Sequence, residues 1–381
     1  MKLSCLQENL ARGLAIVRPA VASRSTLPIT QNVLLTTDGG RLKLAATDLE
    51  IALSCWVGAR IEEEGTTTVP ARLVLDFVNS LPSDQIALSL PQRSRTLHLS
   101  CARNEATMGT MDADDFPPIP AVQSDAGIRI DRQALKVAIA HVAFAAATDD
   151  SRPVLTGVDF QMEGTELTLA AADGFRLAVY HLSLQDAVPE KIEIIVPARA
   201  LNELSRLLTD EDTPVEMMVN PNRSSVLFRV VNKDYEVEMV AQLKQGAFPN
   251  YAQLIPKQHT TRATVDAREF LRETKIAAIF ARDGSGIVRL QVQPGEELTP
   301  GRLQISARAE EVGDNNGEID AAVEGEASKI AFNSKYLQDV LNVLSDGNVA
   351  LETQGPSQPG VIRPVGSENY VHVVMPMFVQ W

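Results

Sequence analysis

Leu167–Leu182 reads LTLAAADGFRLAVYHL, and an earlier stretch, Leu42–Trp56, reads LKLAATDLEIALSCW. The two align without a gap at a shift of 125 residues, with Leu42 on Leu167, Leu44 on Leu169 and Asp48 on Asp173. The same shift carries Gly39 to Gly164, Pro28 to Pro153 and Leu10 to Leu135. A register kept over that span marks a tandem repeat, and a repeat sets the fold before any local motif does.

Working outward, each copy opens on an amphipathic helix. Leu10, Leu14 and Val17 form its apolar stripe in the first copy, and Leu135, Ile139 and Val142 in the second. An apolar strand follows (Asn32–Thr36; Gly157–Gln161), then a tight turn at Gly39-Gly40 or Gly164, then the alternating strand quoted above. VPARLVLDFVNSL from Val69 returns as VPARALNELSRLL from Val196, now at a shift of 127. It predicts a second helix with Pro near its start and a stripe of Val74, Phe77, Val78 and Leu81, or of Leu201, Leu204 and Leu208. A third version, FNSKYLQDVLNVL from Phe332, places Leu337, Val340, Leu341 and Leu344 on one face.

The third copy has diverged. Its first helix is expected over Asp266–Ala281, with strands including Ile287–Val292 and Arg302–Ala307. The first two copies end alike, at Phe116-Pro117 and Phe248-Pro249, where Pro forces an extended exit. Linkers fall at Ala121–Ala126 and Lys257–Thr261, and the expected domains are 1–122, 127–256 and 260–381. Each carries two helices and six to eight short strands, an α+β unit with its helices on one side of antiparallel sheet.

Composition narrows the function classes. No apolar run reaches about 18 residues, so no membrane span is expected. The opening MKLSCL runs straight into strand and helix patterns and resembles no signal peptide, which points to the cytoplasm. Cys5, Cys55 and Cys101 have no C-x-x-C spacing and read as buried free thiols. No zinc, P-loop or nucleophile-elbow motif occurs, so no catalytic residue, metal or cofactor is expected. Asp48 and Asp173 are repeat-related, as an aspartic dyad would be, but neither sits in an Asp-Thr/Ser-Gly setting; both read as turn caps. The formal net charge is −14, yet the acid gathers in loops while predicted helices carry Arg12, Arg18, Arg72, Arg132, Lys136, Arg199, Arg206, Arg268, Arg272 and Lys335. The net charge by itself argues against nucleic acid; to a basic helix lining that meets DNA, an enzyme is the serious rival reading, and a protein-only scaffold is a third.

SRSTLPI (Ser23–Ile29), ATDLE (Ala46–Glu50), the two VPAR segments, SRPVL (Ser151–Leu155), ADGFRLAV (Ala172–Val179), GAFPNY (Gly246–Tyr251), FNSKYLQDVL (Phe332–Leu341) and YVHVVMPM (Tyr370–Met377) follow in order along the whole chain. In these motifs the sequence resembles the β subunit of bacterial DNA polymerase III, the β sliding clamp. The resemblance implies three tandem copies of the DNA-clamp fold and a head-to-tail homodimer that closes a six-domain ring around double-stranded DNA. That ring tethers the polymerase III α subunit and other clamp-binding proteins, and a clamp loader opens it.

It further implies a partner-peptide pocket lined by Arg152, Leu155, Gly174, Phe175, Arg176, Leu177, Pro249, Asn333, Tyr336, Val373, Val374, Met375, Pro376 and Met377, with Arg152 and Arg176 available to hold a peptide backbone or carboxylate. DNA-facing residues would be Arg24, Arg72, Lys136, Arg199, Arg206, Arg272 and Lys335. The subunit contact would join Met108 to Ile279 and Phe280, with Arg103 facing Glu310 and Glu311. The sequence departs from the family pattern at Ala172, Phe175, Gln253 and Ser285 and in its tail, Phe378–Trp381. Phe175 stands where a His is usual, which removes one titratable group from the pocket.

Overall fold

A computed structural model of the chain describes residues 1–24, 26–92, 94–120, 127–282, 285–296, 299–309 and 313–381. The expected linker Ala121–Ala126 lies outside the described residues.

The first copy runs β1 (Lys2–Leu6), α1 (Gln7–Val17), β2 (Asn32–Asp38), β3 (Arg41–Thr47), β4 (Ile51–Gly58), β5 (Arg60–Glu63), β6 (Thr66–Pro70), α2 (Ala71–Ser80), β7 (Gln85–Ser89), β8 (Thr96–Cys101) and β9 (Asn104–Gly109). The second runs β10 (Ile128–Ile130), α3 (Arg132–Val142), β11 (Gly157–Glu163), β12 (Glu166–Ala172), β13 (Arg176–Ser183), β14 (Ile192–Pro197), α4 (Ala198–Leu207), β15 (Val215–Val219), β16 (Ser225–Val231) and β17 (Tyr235–Gln242). The third runs β18 (Thr261–Asp266), α5 (Ala267–Arg282), β19 (Ile287–Gln293), β20 (Gly301–Ala309), β21 (Gly313–Gly325), β22 (Ser328–Asn333), α6 (Ser334–Val343), β23 (Asn348–Thr353), β24 (Gly360–Pro364) and β25 (Tyr370–Val374).

The repeat register holds residue for residue. α1, β2, β3 and β4 return as α3, β11, β12 and β13 with the bounds the 125-residue shift dictates, and α2 returns as α4 at 127. Both shifts follow from core positions. Leu10, Leu14 and Val17 are buried in one helix, and Leu135, Ile139 and Val142 in the other. Pro70 and Pro197 sit just outside the second helices, Pro70 at the N-cap and Pro197 closing β14, where a missing N–H costs the helix nothing. Phe77 is half-buried, at the edge of the stripe that Val74, Val78 and Leu81 form. In the third copy α5 continues without a break, where α1 and α3 each give way to one turn of 3-10 helix. Among the described residues the first copy has nine strands, one more than expected, because the short β5 pairs with β1.

Contacts divide the chain into two compact units that do not follow the repeats: residues 1–136, 184–186 and 199–244 form one, and 137–183, 187–198 and 245–381 the other. The reason is visible in the sheets. In the first unit, β17 of the second copy lies against β4 of the first, giving the order β10-β15-β16-β17-β4-β3-β2-β6 beside a five-stranded sheet β5-β1-β7-β8-β9. In the second unit, β25 of the third copy lies against β13 of the second in a twelve-stranded sheet, β14-β11-β12-β13-β25-β24-β23-β18-β21-β20-β19-β22. Main-chain hydrogen bonding thus runs unbroken across each boundary between copies. The three cysteines are buried and unbridged, and burial pushes the Cys5 and Cys55 thiols up to about 12.

Candidate functional site

Side chains alternate across a strand, so the β13–β25 ladder sorts the predicted pocket residues by face. Leu177 pairs with Val373 and Val179 with Val371, and these four point to one side; Arg176 pairs with Val374 and Ala178 with His372, and these point to the other. The first side is an apolar floor. Leu155, Ala170, Leu177, Val179, Ile195, Val361, Val371 and Val373 pack together there, covered by Phe248, with Ala172, Tyr251 and Ile255 at the margin. Exposed apolar side chains flank it: Phe175 in the turn before β13, Met375 just after β25, and Leu254 in the single turn that follows Pro249. Leu254 was missed in the sequence because an apolar residue in a loop carries no periodicity.

The turn before β13 is held by Asp173, whose Oδ1 accepts from the backbone N–H of Phe175 at 2.9 Å and of Arg176 at 3.0 Å. Asp48 does the same for Glu50 and Ile51, so both aspartates are turn caps. Gly174 has φ +95, and a Cβ there would stand 2.8 Å from Arg152 Nη1. Only glycine lets the Arg152 guanidinium lie over this turn, where its Nη2 donates to the Asp173 carbonyl at 2.8 Å. The C-terminal segment docks by main chain, with Met375 N–H donating to Phe175 O and Met377 N–H to Ala331 O. Pro376, between them, is half-buried.

Two expectations need correcting. Arg176 is not available to hold a peptide carboxylate. Its side chain is 8% exposed and donates to Asp173, to Asp339 and to the Phe144 carbonyl, while its guanidinium lies 4.4 Å from the Tyr336 ring centroid. Val374, likewise, faces away from the apolar floor and is fully buried. Asn333 serves as the N-cap of α6, accepting from Lys335 N–H. Arg152 remains exposed, with donors to spare.

The predicted DNA-facing cations are all at the surface but differ in how far they are neutralised. Arg24 and Lys335 are exposed, and Arg72 is 96% exposed, its nearest acid being Asp76 at 3.8 Å. Arg72 and Arg18 line a cleft of about 810 Å³ between α1 and α2 together with Ser23, Gln31 and Asn79. Lys136 lies 3.8 Å from Asp210. Arg199 is held by Asp48 at 2.6 Å, Arg206 by Glu203 at 2.7 Å, and Arg272 by Glu273 at 3.0 Å. The helix faces are therefore mixed in charge, with the base less concentrated than the sequence suggested.

Of the expected subunit-contact residues, Ile279 is 59% exposed, and the Phe280 ring lies 4.0 Å from where a Gly313 side chain would begin. Met108 is 2% exposed because its side chain turns into its own domain, so β9 has backbone rather than that side chain to offer. Arg103 is exposed in the β8–β9 turn, and Glu310 and Glu311 lie outside the described residues.

Three family models cover almost the whole chain. They are the N-terminal (residues 1–120), central (129–250) and C-terminal (252–378) domains of the DNA polymerase III beta subunit. A beta sliding clamp of Synechococcus elongatus is 30% identical over 380 residues, 99% of each chain, and one of Staphylococcus aureus is 30% identical over 94% of each. Among solved structures, the Bacillus subtilis DNA polymerase sliding clamp superposes with a TM-score of 0.92 at 27% identity, and a Pseudomonas aeruginosa sliding clamp bound to griselimycin with 0.89 at 28%, each over the full length of both chains. With the tandem copies, the strand lent between them and these matches in agreement, the chain belongs to the bacterial DNA polymerase III β subunit family, the β sliding clamps.

Proposed function

We propose that this sliding clamp, a non-catalytic subunit, works as a closed head-to-tail homodimer around double-stranded DNA, with domains 1–122, 127–256 and 260–381 in each protomer. The observation that carries the ring is the repeated loan of a strand. β4 receives β17 and β13 receives β25. The matching strand of the third copy, β21, pairs with β20 along Gly313–Ala321 and with β18 only from Ala322 on. Its first half keeps an open edge among the described residues, and β9, which would be the lender, ends its own sheet. An open edge and an unlent strand on one chain complement each other only between two copies, and a head-to-tail contact of that kind closes when its rotation divides the circle. Exposed Ile279, and half-buried Phe280 beside Gly313, would then be covered by the partner. Replacing both with Ala should shift sedimentation to monomer; an unchanged dimer would move the contact elsewhere.

Arg24, Arg72 and Lys335 supply sequence-independent attraction for phosphates, with Arg199, Arg206, Arg272 and Lys136 weaker because acids already hold them. Clamp assembled on circular DNA should be retained and should run off once the circle is cut; equal retention on both forms would sink the ring. The apolar floor at β13–β25 receives short peptide segments with apolar anchors from the polymerase α subunit, the clamp loader and other partners. Leu155, Leu177, Pro249, Val373, Met375, Phe175 and Leu254 supply the apolar surface, and Arg152 the polar fix.

A further inference from the structure

The apolar floor contains one carboxyl. Asp159 sits mid-strand in β11, with Ala170 opposite it on β12 and Ile195 opposite it on β14. Both neighbours belong to the cluster that Leu155, Leu177 and Phe248 complete. Asp159 is fully buried. Its Oδ2 accepts from Gln161 Nε2 at 2.7 Å, and its Oδ1 is buried with no partner. No lysine or arginine pairs with it among the described residues. The charged and titratable groups around it are Glu193 and Lys191 from the β14 side and Tyr251 from the cover; β12 presents neutral Ala170.

This is an odd residue to place in a floor built for hydrocarbon. An unpaired buried carboxylate costs far more than the leucine that would fill the space, and the first copy has Leu34 at the same repeat position. Packing therefore gives no reason for Asp159. Burial, with Glu193 adding to it, lifts the carboxyl to about 6, so that it changes charge in the range where a cell works. Burial, and then the Asp159 charge, pushes the Tyr251 hydroxyl up to about 12, which places the carboxyl's field at the loop that roofs the floor.

We propose that Asp159 is a specificity-determining residue of the peptide groove, penalising wholly apolar anchors while it is charged and accepting them with uptake of a proton. The inference rests on the groove reading above. An apolar anchor seated over Leu155 and Phe248 displaces the water above the floor and so lowers further the longer-range solvation of a carboxylate that is already enclosed. The neutral form then costs much less than the charged one, and binding is linked to protonation. A segment that keeps water or a polar group above the floor preserves part of that solvation, so the same floor ranks partners by whether a polar group accompanies their anchors.

The test uses the full chain and a labelled peptide with Leu and Phe anchors and no side-chain donor, titrated between pH ~5 and ~8. Affinity should fall about tenfold or more across that range, and calorimetry in two buffers of different ionisation enthalpy should show proton uptake near pH ~6. Asp159→Asn should bind with the acid-form affinity at every pH, and Asp159→Leu should do so too, as a second variant in case the first folds poorly. A flat profile for the unaltered protein, or a slope that survives in Asp159→Asn, overturns the assignment. No binding at any pH overturns the groove reading itself.

Discussion

At Ile51–Gly58 the first copy takes a strand from the second, and at Arg176–Ser183 the second takes one from the third, so the chain contains the same junction twice. Equivalent positions carry different chemistry. Leu155, Leu177, Val179 and Ile195 of the later junction are Thr30, Ala52, Ser54 and Thr68 in the earlier one. Thr68 is tied down there, accepting from Asn32 Nδ2 and donating to the Met111 carbonyl. What remains apolar is small: Ala52, Leu227 and Val240, with Ile119 and Met218 alongside. The turns match in geometry, each capped by its aspartate, yet one reads Asp48-Leu49-Glu50 and the other Asp173-Gly174-Phe175. Strand pairing preserves the junction, since main-chain hydrogen bonds do not depend on side chains. The floor is free to vary, and only one of the two became a large apolar cluster.

Four experiments would break or sharpen this contrast. The largest effect should come from ending the chain after Val374, which keeps β25 whole and removes Met375–Trp381. Peptide affinity should drop by about two orders of magnitude or more, as losing a central apolar anchor implies. Val240→Ala, in the floor of the other junction, should leave it unchanged. Undiminished binding by the truncated chain would show that the groove lies elsewhere.

Next comes the arginine of each junction. Arg176→Ala strips two half-buried acids of their buried partner and should cost about 1.5–3 kcal/mol in urea unfolding. Arg199→Ala removes a half-exposed partner of Asp48 and should cost about 0–1 kcal/mol. Equal losses would mean that both are surface pairs.

Asp159 gives a pH signature that Leu34 cannot. Its carboxyl is held near 6 when folded, against about 3.9 when unfolded, so the folded state binds the proton more tightly. Stability is full at acid pH and is lost as pH rises through about 6. The loss should be roughly 2–3 kcal/mol between pH ~4 and ~7, and absent in Asp159→Asn. A stability that rises over that window would refute the buried, unpaired state of this group.

The smallest effect is the backbone of the two turns. Gly174→Ala should cost about 1–2 kcal/mol, from the left-handed φ and the clash with Arg152. Leu49 holds φ +77 with a side chain, so Leu49→Gly should gain up to about 1 kcal/mol. Thermal melts of both variants would decide; opposite signs are the expected result.

The sequence by itself determined the repeat, its register and the helices, because core positions recur with the period of the element that buries them. Leu10 and Leu135, or Val74 and Leu201, announce a helix wherever they stand. It also identified Asp48 and Asp173 as turn caps, since an Asp before a strand bonds to backbone N–H groups two and three residues on. The tertiary structure alone decided which face each strand residue takes once a strand from another copy pairs with it. That pairing put Leu177 and Val373 in the floor, turned Arg176 and Val374 away from it, and committed Arg176 to Asp173 and Asp339. It also showed Asp159 enclosed with one carboxylate oxygen unpaired, and Leu254 exposed next to Ile255 at the margin of the floor. Partners so distant in sequence leave no periodic trace, because what joins them is the sheet and not the chain.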